Sequence, residues 1–202
     1  MIKRNAQQGT QEWHEARLGI PTASCFSKIV TGKGKPSDQR ESYMYDLAGS
    51  EIGIKSAFGG SAATERGHEL EPYALEYYSI LNDVKVEKVG FIVSDCGRFG
   101  GSPDGLVGAT GGIEIKCCEE EEHLRLMASD VVPTKYRPQV YGLLWLSKRK
   151  WWDFVAYHPD HGAKVVRVKR SCKEYQDWIA AFVPRLNEFC ERLELLKVTV
   201  AS

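Results

Sequence analysis

The chain has 202 residues, of which 43% are apolar and 27% are charged, and its 27 basic and 27 acidic side chains give a formal net charge of zero. This length and composition fit one globular domain with a substantial core, and they exclude a disordered or fibrous protein. No apolar run approaches the roughly 20 residues of a membrane-spanning helix, so no membrane partner is expected. The amino-terminal sequence also lacks the apolar segment of a secretory signal. The 6 cysteines show no CxxC pair, which favours reduced thiols in a cytoplasmic protein.

The first third of the chain is predicted to be helical. Apolar residues recur at helical spacing in four stretches, and the third follows a basic Gly- and Pro-containing loop. A Ser stands at a capping position before that third helix, and Gly67 and Pro72 are expected to perturb the fourth. The predicted helices are QEWHEARL (11–18), TASCFSKIV (22–30), SDQRESYMYDLAG (37–49) and SAATERGHELEPYALEYYSIL (61–81).

Further along the chain, the spacing of apolar residues changes from the period of a helix to the alternation of a strand. Three strands joined by Gly-rich turns are expected as a meander, followed by two helices, two strands and a long closing helix. This order predicts an α/β fold, a central mixed β-sheet flanked by helices on both faces. The strands are VKVEKVGFIV (84–93), RFGGSPDGLV (98–107), GGIEIKC (111–117), WWDFVAY (151–157) and AKVVRVKR (163–170); the helices are 119–129, 134–147 and 173–196.

Charge is distributed unevenly along the chain. Residues 147–173 carry eight Lys and Arg against two Asp, whereas residues 61–133 carry fourteen acids against six Lys and Arg. A protein that grips a phosphate chain in one place and a cation in another needs such an arrangement, although chance also produces it. The basic segment therefore either binds a duplex backbone or forms a solvated edge. Most of the acidic run Glu119–Glu122 is expected away from DNA or at a subunit contact.

The strand GGIEIKC places two charges where a central strand buries apolar groups. Side chains alternate between the two faces of a strand, so Ile113 and Ile115 point to one face and Glu114 and Lys116 to the other. Burying those charges without partners would cost several kcal/mol each. Asp104 stands in the preceding Pro-Asp-Gly turn, from which a hairpin would return it beside this strand.

Two carboxylates and one Lys at a sheet edge suit a hard divalent cation. Mg²⁺ takes oxygen ligands and keeps several waters, so one or two carboxylates and a substrate phosphate suffice. A Lys beside it orients or helps to deprotonate the attacking water. Each piece alone is ordinary, since PDG is a common turn and ExK a common exposed pair.

An ordered set of motifs resembles the lambda-type phage exonucleases, also called YqaJ-like viral recombinases, within the PD-(D/E)xK nuclease superfamily. The PD-(D/E)xK signature alone is weak, and the order of the whole set makes the resemblance specific. The matching residues are Trp13-His14, Arg17-Leu18-Gly19, Thr22-Ala23-Ser24, Gly67, Glu71, SPDGL, IEIKC, Tyr136, Gln139-Val140 and Trp145.

The resemblance implies a restriction-endonuclease-like core with a metal and catalytic centre. Asp104, Glu114 and the carbonyl of Ile115 would hold Mg²⁺, two ions per site, with Mn²⁺ as an alternative. Lys116 would serve the attacking water. Glu71 matches the acid contributed by the preceding helix, although Glu65 and Glu69 lie nearby in the sequence. The catalytic positions also include Tyr136 and Gln139.

The resemblance further implies a pocket for a terminal 5′-phosphate, formed by Arg17 and Ser24 and joined by Ser102 and Trp13. An Arg offers a planar fork to phosphate, and a Ser hydroxyl near a helix start adds a donor. The whole chain, 1–202, would be one nuclease domain, with a helical part at 1–60 that carries the pocket and a catalytic core at 61–202.

The implied activity is a Mg²⁺-dependent 5′→3′ exonuclease on linear double-stranded DNA that releases 5′-mononucleotides and leaves a 3′ single-stranded tail. The implied partners are duplex DNA ends, two further copies in a homotrimeric ring and a single-strand annealing protein, in the cytoplasm of a bacterial host of a phage or prophage. Two other functions stay open. They are a PD-(D/E)xK endonuclease of restriction or repair type, and a non-catalytic DNA-binding module on the same fold.

Overall fold

The computed structural model describes residues 2–4, 6–53 and 62–201, and side chains within 6–53 and 66–200. Six α-helices and eight strands are assigned there, with a 3₁₀ helix at Ala23–Lys28. The helices are α1 (Gln11–Glu15), α2 (Arg40–Glu51), α3 (Ala62–Asn82), α4 (Glu120–Met127), α5 (Arg137–Ser147) and α6 (Lys173–Ala201). The strands are β1 (Ile2–Arg4), β2 (Val86–Glu87), β3 (Phe91–Val93), β4 (Gly100–Gly101), β5 (Gly105–Val107), β6 (Gly111–Cys117), β7 (Trp151–His158) and β8 (Gly162–Lys169).

The strands form a five-stranded mixed sheet in the order β2-β5-β6-β7-β8 and a small sheet in the order β1-β3-β4. In the large sheet only β6 and β7 are parallel, because α4 and α5 connect them as a crossover. The other neighbours pair antiparallel. The predicted fold class, a mixed sheet with flanking helices, is confirmed.

Helices cover both faces of this sheet. On β7, Trp152, Phe154 and Ala156 join the larger apolar cluster with α2, the 3₁₀ helix, α5 and α6. The alternate residues Val155 and Tyr157 join the smaller cluster, which contains the buried face of α3. This division follows from the period of two along a strand. None of the helices within the described ranges has an apolar stretch of the length that a bilayer crossing requires.

Three sequence expectations were wrong in detail. The stretches 84–93 and 98–107 are not single strands of a meander, because each divides into two short strands that belong to different sheets. The expected helix at 22–30 is a 3₁₀ helix. Strand β1 was missed altogether. Strands of two or three residues carry no periodic signal, and distant partners decide whether they form. Pro138 lies in the first turn of α5, where a missing N–H costs little.

A buried ionic network ties α3 to the sheet. Asp153 on β7 is fully buried and accepts a 2.6 Å hydrogen bond from the hydroxyl of Tyr78 on α3. Arg167 on β8 donates to both oxygens of the same carboxylate, at 2.8 Å each. Because both oxygens are satisfied, the charge is tolerated in the core. The network fixes the helix that carries Glu71 against the strands that carry the other candidate site residues.

Candidate active site

The site forms where β6 extends beyond its neighbour β5. Pairing between the two strands ends at Gly105 and Ile113, so the rest of β6 is open on that side. Asp104, at the bend before β5, fills part of this gap, and its Oδ2 accepts a 2.6 Å hydrogen bond from the backbone N–H of Ile115. In a strand the N–H and C=O of one residue point to the same side. The carbonyl of Ile115 therefore faces the Asp104 carboxylate.

Glu114 and Lys116 form a buried ion pair on the same strand. The Nζ of Lys116 lies 2.6 Å from Oε1 of Glu114, whose side chain is 1% exposed. The other carboxylate oxygen, Oε2, is buried and has no hydrogen-bond partner among the described residues. The two charged side chains predicted from the sequence are thus in contact, and one acceptor of Glu114 remains unsatisfied.

The electrostatics of this cluster are those of crowded carboxylates. Burial and the nearby charges of Glu114 and Glu71 raise the pKa of Asp104 well above its usual range. Burial also raises the pKa of Glu114, against the opposing effect of Lys116. Burial alone would lower the pKa of Lys116, but Glu114 and Asp104 outweigh it and the pKa is raised. Lys116 is therefore protonated, whereas burial disfavours the ionised forms of Asp104 and Glu114.

Glu71 completes the acidic cluster from α3. One turn after it, Ala74 and Leu75 pack in the same apolar cluster as Ile113 and Ile115, which holds this part of the helix against β6. Glu71 lines a pocket of about 390 Å³ together with Asp104, Ile115, Lys116 and Tyr136. Of the two alternatives, Glu69 is exposed and is not among the residues lining this pocket, and the side chain of Glu65 lies outside the described residues.

The donor set fits a hard divalent cation. Asp104, Glu71 and Ile115 line the pocket with two carboxylates and a carbonyl, and the buried Oε2 of Glu114, on the same strand as Ile115, has no hydrogen-bond partner among the described residues. Among the described residues, no three His, Cys, Asp or Glu groups converge into a protein-only metal site. An ion that keeps water or substrate oxygens, as Mg²⁺ does, needs fewer protein ligands than a structural zinc site.

Tyr136 and Gln139 occupy the start of α5. Tyr136 lines the pocket, its hydroxyl donates to Glu122 at 3.1 Å, and its ring lies 5.7 Å from the Nζ of Lys116. Burial, with the nearby charges of Cys118 and Glu122, raises the pKa of Tyr136, which therefore stays protonated. Gln139 is half-buried, one turn later, and is not among the residues lining this pocket.

Three of the four residues predicted to bind a 5′-phosphate are in contact. The hydroxyl of Ser102 accepts hydrogen bonds from Nε1 of Trp13 at 2.8 Å and from Nη1 of Arg17 at 3.2 Å. The Arg17 guanidinium lies 4.1 Å from the centre of the Trp13 ring, a cation–π contact that fixes its plane. Burial lowers the pKa of Arg17 from its ordinary value. Ser102 lies two residues before Asp104, so the two predicted subsites share one segment.

Ser24 lies on the 3₁₀ helix that packs beside this segment. It is exposed, and its hydroxyl lies 3.3 Å from that of Thr22, which forms a bridge with Gly100 on β4. The close approach depends on glycine, because a Cβ at Gly101 would lie 2.8 Å from the Cβ of Ala23. Ser24 therefore lies near the same segment, without a direct contact to Ser102.

The structure locates the acidic run and the basic segment that the sequence analysis singled out. Glu119 and Glu122 of the acidic run line the pocket, whereas Glu120 and Glu121 do not. The reason is that β6 leads directly into α4, and the two pocket-lining acids pair with Arg66 and Lys135. The basic segment 147–173 largely serves the protein itself. Its contacts include Lys148 with Asp95, Arg149 with three backbone carbonyls, Lys164 with Asp130 and Arg167 with Asp153.

Sequence reasoning missed residues that reach the site from outside the motifs. Gln8 donates to the carbonyl of Pro103 at 3.2 Å, His68 lines the pocket, and Lys88 contacts Glu71. Their positions depend on long-range packing, and a single Gln, His or Lys carries no local signal. His123, His158 and His161, whose spacing in the sequence indicated no metal site, form a cluster with ring centres 4.8 to 6.1 Å apart.

Comparison with known proteins identifies the family. The YqaJ-like viral recombinase domain matches residues 12–150. An alkaline exonuclease from Laribacter hongkongensis, LHK-Exo, is 32% identical with a TM-score of 0.79, and the match covers 95% of this chain and 98% of that chain. A second structure, LHK-Exo in complex with dAMP, matches equally well. A phage-related exonuclease from Haemophilus somnus, 17% identical with a TM-score of 0.65 over 91% of this chain and 96% of that one, shares the fold.

No curated protein sequence matches the chain. The family and the solved relatives nevertheless agree with each other, and both support a nuclease role on the predicted nuclease fold. The chain belongs to the YqaJ-like viral recombinase family.

Proposed function

We propose that the chain is a Mg²⁺-dependent 5′→3′ exonuclease on linear double-stranded DNA. It removes 5′-mononucleotides from the phosphorylated strand and leaves a 3′ single-stranded tail, which a single-strand annealing protein then takes. The family and the exonuclease relatives support the general nuclease role. The polarity, the cation and the annealing partner belong to the proposal.

One observation supports action at a strand end. Ser102 and Asp104 lie on the same three-residue segment. The Ser102 hydroxyl accepts hydrogen bonds from Trp13 and Arg17, and the Asp104 carboxylate accepts one from the backbone of Ile115. The pocket that would bind a terminal phosphate is thus held at a fixed distance from the acids that would act on a neighbouring phosphodiester. An enzyme that cuts within a strand has no use for such a pocket.

Each residue has a distinct role in hydrolysis. Asp104, Glu114, Glu71 and the Ile115 carbonyl would hold a Mg²⁺ ion, which would supply Lewis acidity and would favour the ionised form of the attacking water. Protonated Lys116 donates to the reacting oxygens and stabilises the negative charge that develops on the phosphoryl group. Tyr136, protonated and anchored to Glu122, packs beside the Lys116 ammonium and limits where it can point.

Two apolar patches on the surface support a ring of three copies. The α6 patch consists of Tyr45 on α2 with Leu195 and Val198 on α6, the last two 71% and 72% exposed. The α3 patch consists of Tyr73, Tyr77, Ile80 and Leu81. Two different patches on one chain suit a contact between unlike surfaces, which closes into a ring when the rotation allows. A ring retains DNA by topology, which a chain of zero net charge needs for processive action.

Linear and circular substrates test the proposal directly. The protein is incubated with Mg²⁺ and linear duplex carrying a 5′-phosphate, the same duplex carrying a 5′-hydroxyl, or closed circular duplex. Mononucleotides are expected fastest from the phosphorylated ends, with no cutting of circles. Linearisation of circles would instead support an endonuclease, and binding without hydrolysis would support a non-catalytic module; either outcome overturns the proposal.

A further inference from the structure

We propose that Lys88 is a phosphate-binding residue that exchanges partners, moving from the carboxylate of Glu71 to a phosphate oxygen of the DNA backbone when the metal binds. This inference rests on the proposed function, because it assumes that Glu71 holds the metal. It assigns to Lys88 a role that no motif of the sequence indicated.

The first observation is the continuity of the groove around Glu71. A second pocket, of about 610 Å³, adjoins the site pocket and shares with it Gln8, His68, Glu71 and Asp104. Lys88 lines this second pocket and supplies positive charge to its wall. A nucleotide chain that crosses the metal site therefore has room to continue past Glu71 toward Lys88.

The second observation is the contact itself. The Nζ of Lys88 lies 3.3 Å from Oε1 of Glu71, and the Lys88 side chain is 63% exposed whereas that of Glu71 is 19% exposed. The backbone here is anchored at both ends, since Glu87 pairs with Leu106 in the large sheet and Phe91 pairs in the small one. The chain thus fixes the base of Lys88 beside the site and leaves its flexible arm free to move.

The third step is electrostatic. A divalent cation bound to Glu71 would place two positive charges beside the Lys88 ammonium, which would then be repelled at a distance of a few ångströms. A phosphodiester next to the cation offers oxygens to both. In the absence of metal, Lys88 neutralises the Glu71 carboxylate. When metal is bound, Lys88 instead contacts a phosphate of the DNA. Lys88 and the cation accordingly compete for Glu71, whereas Lys88 and the cation cooperate on DNA.

This competition predicts effects of opposite sign for Lys88→Ala. The dissociation constant for Mg²⁺, measured from melting temperature against Mg²⁺ concentration, should fall about two- to fivefold, because an exposed ion pair is removed. The KM for 5′-phosphorylated duplex should rise by a similar factor, about two- to fivefold. The slope of log KM against log salt concentration should shrink by about 0.9, the value of one lost phosphate contact.

Lys85→Ala is the matched control, because Lys85 is an exposed cation three residues earlier on the same segment. It should change neither the Mg²⁺ affinity nor the salt slope. A Lys88→Ala protein with weaker or unchanged Mg²⁺ binding would overturn the inference, and so would an unchanged salt slope. The Mg²⁺ titration needs no turnover, so it tests Lys88 separately; inactivity of the unaltered protein on duplex would count against the proposed function alone.

Discussion

The carboxylate of Asp104 accepts a 2.6 Å hydrogen bond from the backbone N–H of Ile115. This bond lies just past the point where β5 and β6 cease to pair, so the side chain replaces a strand partner. It also aligns an acid with a backbone carbonyl, and both are oxygen ligands of the kind that Mg²⁺ takes. The same contact that closes the sheet edge therefore organises the candidate metal site.

Asp104→Asn is expected to abolish turnover while raising the stability of the metal-free protein. Asn keeps an acceptor for Ile115 but removes a charge whose pKa is raised by burial, Glu114 and Glu71. A raised pKa in the folded protein means that stability is full below about pH 4, the ordinary value, and is lost as pH rises through the folded value. In EDTA, the melting temperature of the variant should exceed that of the unaltered protein increasingly from pH 5 to pH 8.

Asp95→Asn is the control for that experiment. Hydrogen bonds and charge from Lys148 lower the pKa of Asp95 to about 2, so its ionised form is favoured in the fold. Removing this charge should not raise the melting temperature at any pH. Equal curves for Asp104→Asn and the unaltered protein would show that Asp104 bears no electrostatic cost.

Lys116→Met is expected to destabilise the fold as well as to abolish activity. The substitution leaves Glu114 buried without its partner, which should cost about 3 kcal/mol in urea unfolding. Adding Glu114→Gln should recover most of that stability and none of the activity. Lys173→Met, which breaks an exposed pair with Asp177, should cost no more than about 0.5 kcal/mol. Activity in the stable double variant would remove Lys116 from the mechanism.

Arg17→Ala is expected to erase the preference for a 5′-phosphate. Its guanidinium lies over Trp13 and donates to Ser102, so it is the charged member of the predicted pocket. The ratio of initial rates on phosphorylated and hydroxyl ends should fall toward one, while Arg192→Ala, an exposed position on α6, should leave the ratio unchanged. A preserved ratio in Arg17→Ala would refute the assignment.

Strand alternation predicted the part of the site that lies on β6, and the ordered set of motifs predicted Arg17, Glu71 and Ser102 from distant parts of the chain. The alternation of GGIEIKC indicated correctly that Glu114 and Lys116 share a face, because strand period is local. The division of 84–93 between two sheets was not predicted, since strands of two or three residues depend on their partners. Lys88, which lies between those strands, was missed for the same reason.

The α6 patch is expected to form the subunit contact. Leu195→Glu combined with Val198→Glu places two charges on exposed apolar positions, so it should lower the mass in solution by preventing association without disturbing the core. Processivity on long duplex should fall with it, as measured by single-turnover product length. Val131→Glu, also on an exposed apolar residue, is the control. An unchanged mass in the double variant would exclude this patch from the contact.

The histidine cluster should lower the stability of the folded protein at acidic pH. His123 is fully buried, both of its ring nitrogens lack partners among the described residues, and burial with the charges of His158 and His161 lowers its pKa. A lowered folded pKa means that stability is present above the ordinary value of about 6.5 and is lost as pH falls below it. His161 also pairs with Glu120, which lies on the same helix as His123.

His123→Leu should therefore raise the melting temperature at pH 5.5 and change it less at pH 8, because an apolar side chain of similar size removes the cost of burying a cation. Differential scanning calorimetry at the two pH values measures the difference. His14→Asn, an exposed position, should show no such dependence. Equal shifts at both pH values would mean that His123 affects stability by packing alone, and that its protonation does not limit the fold in acid.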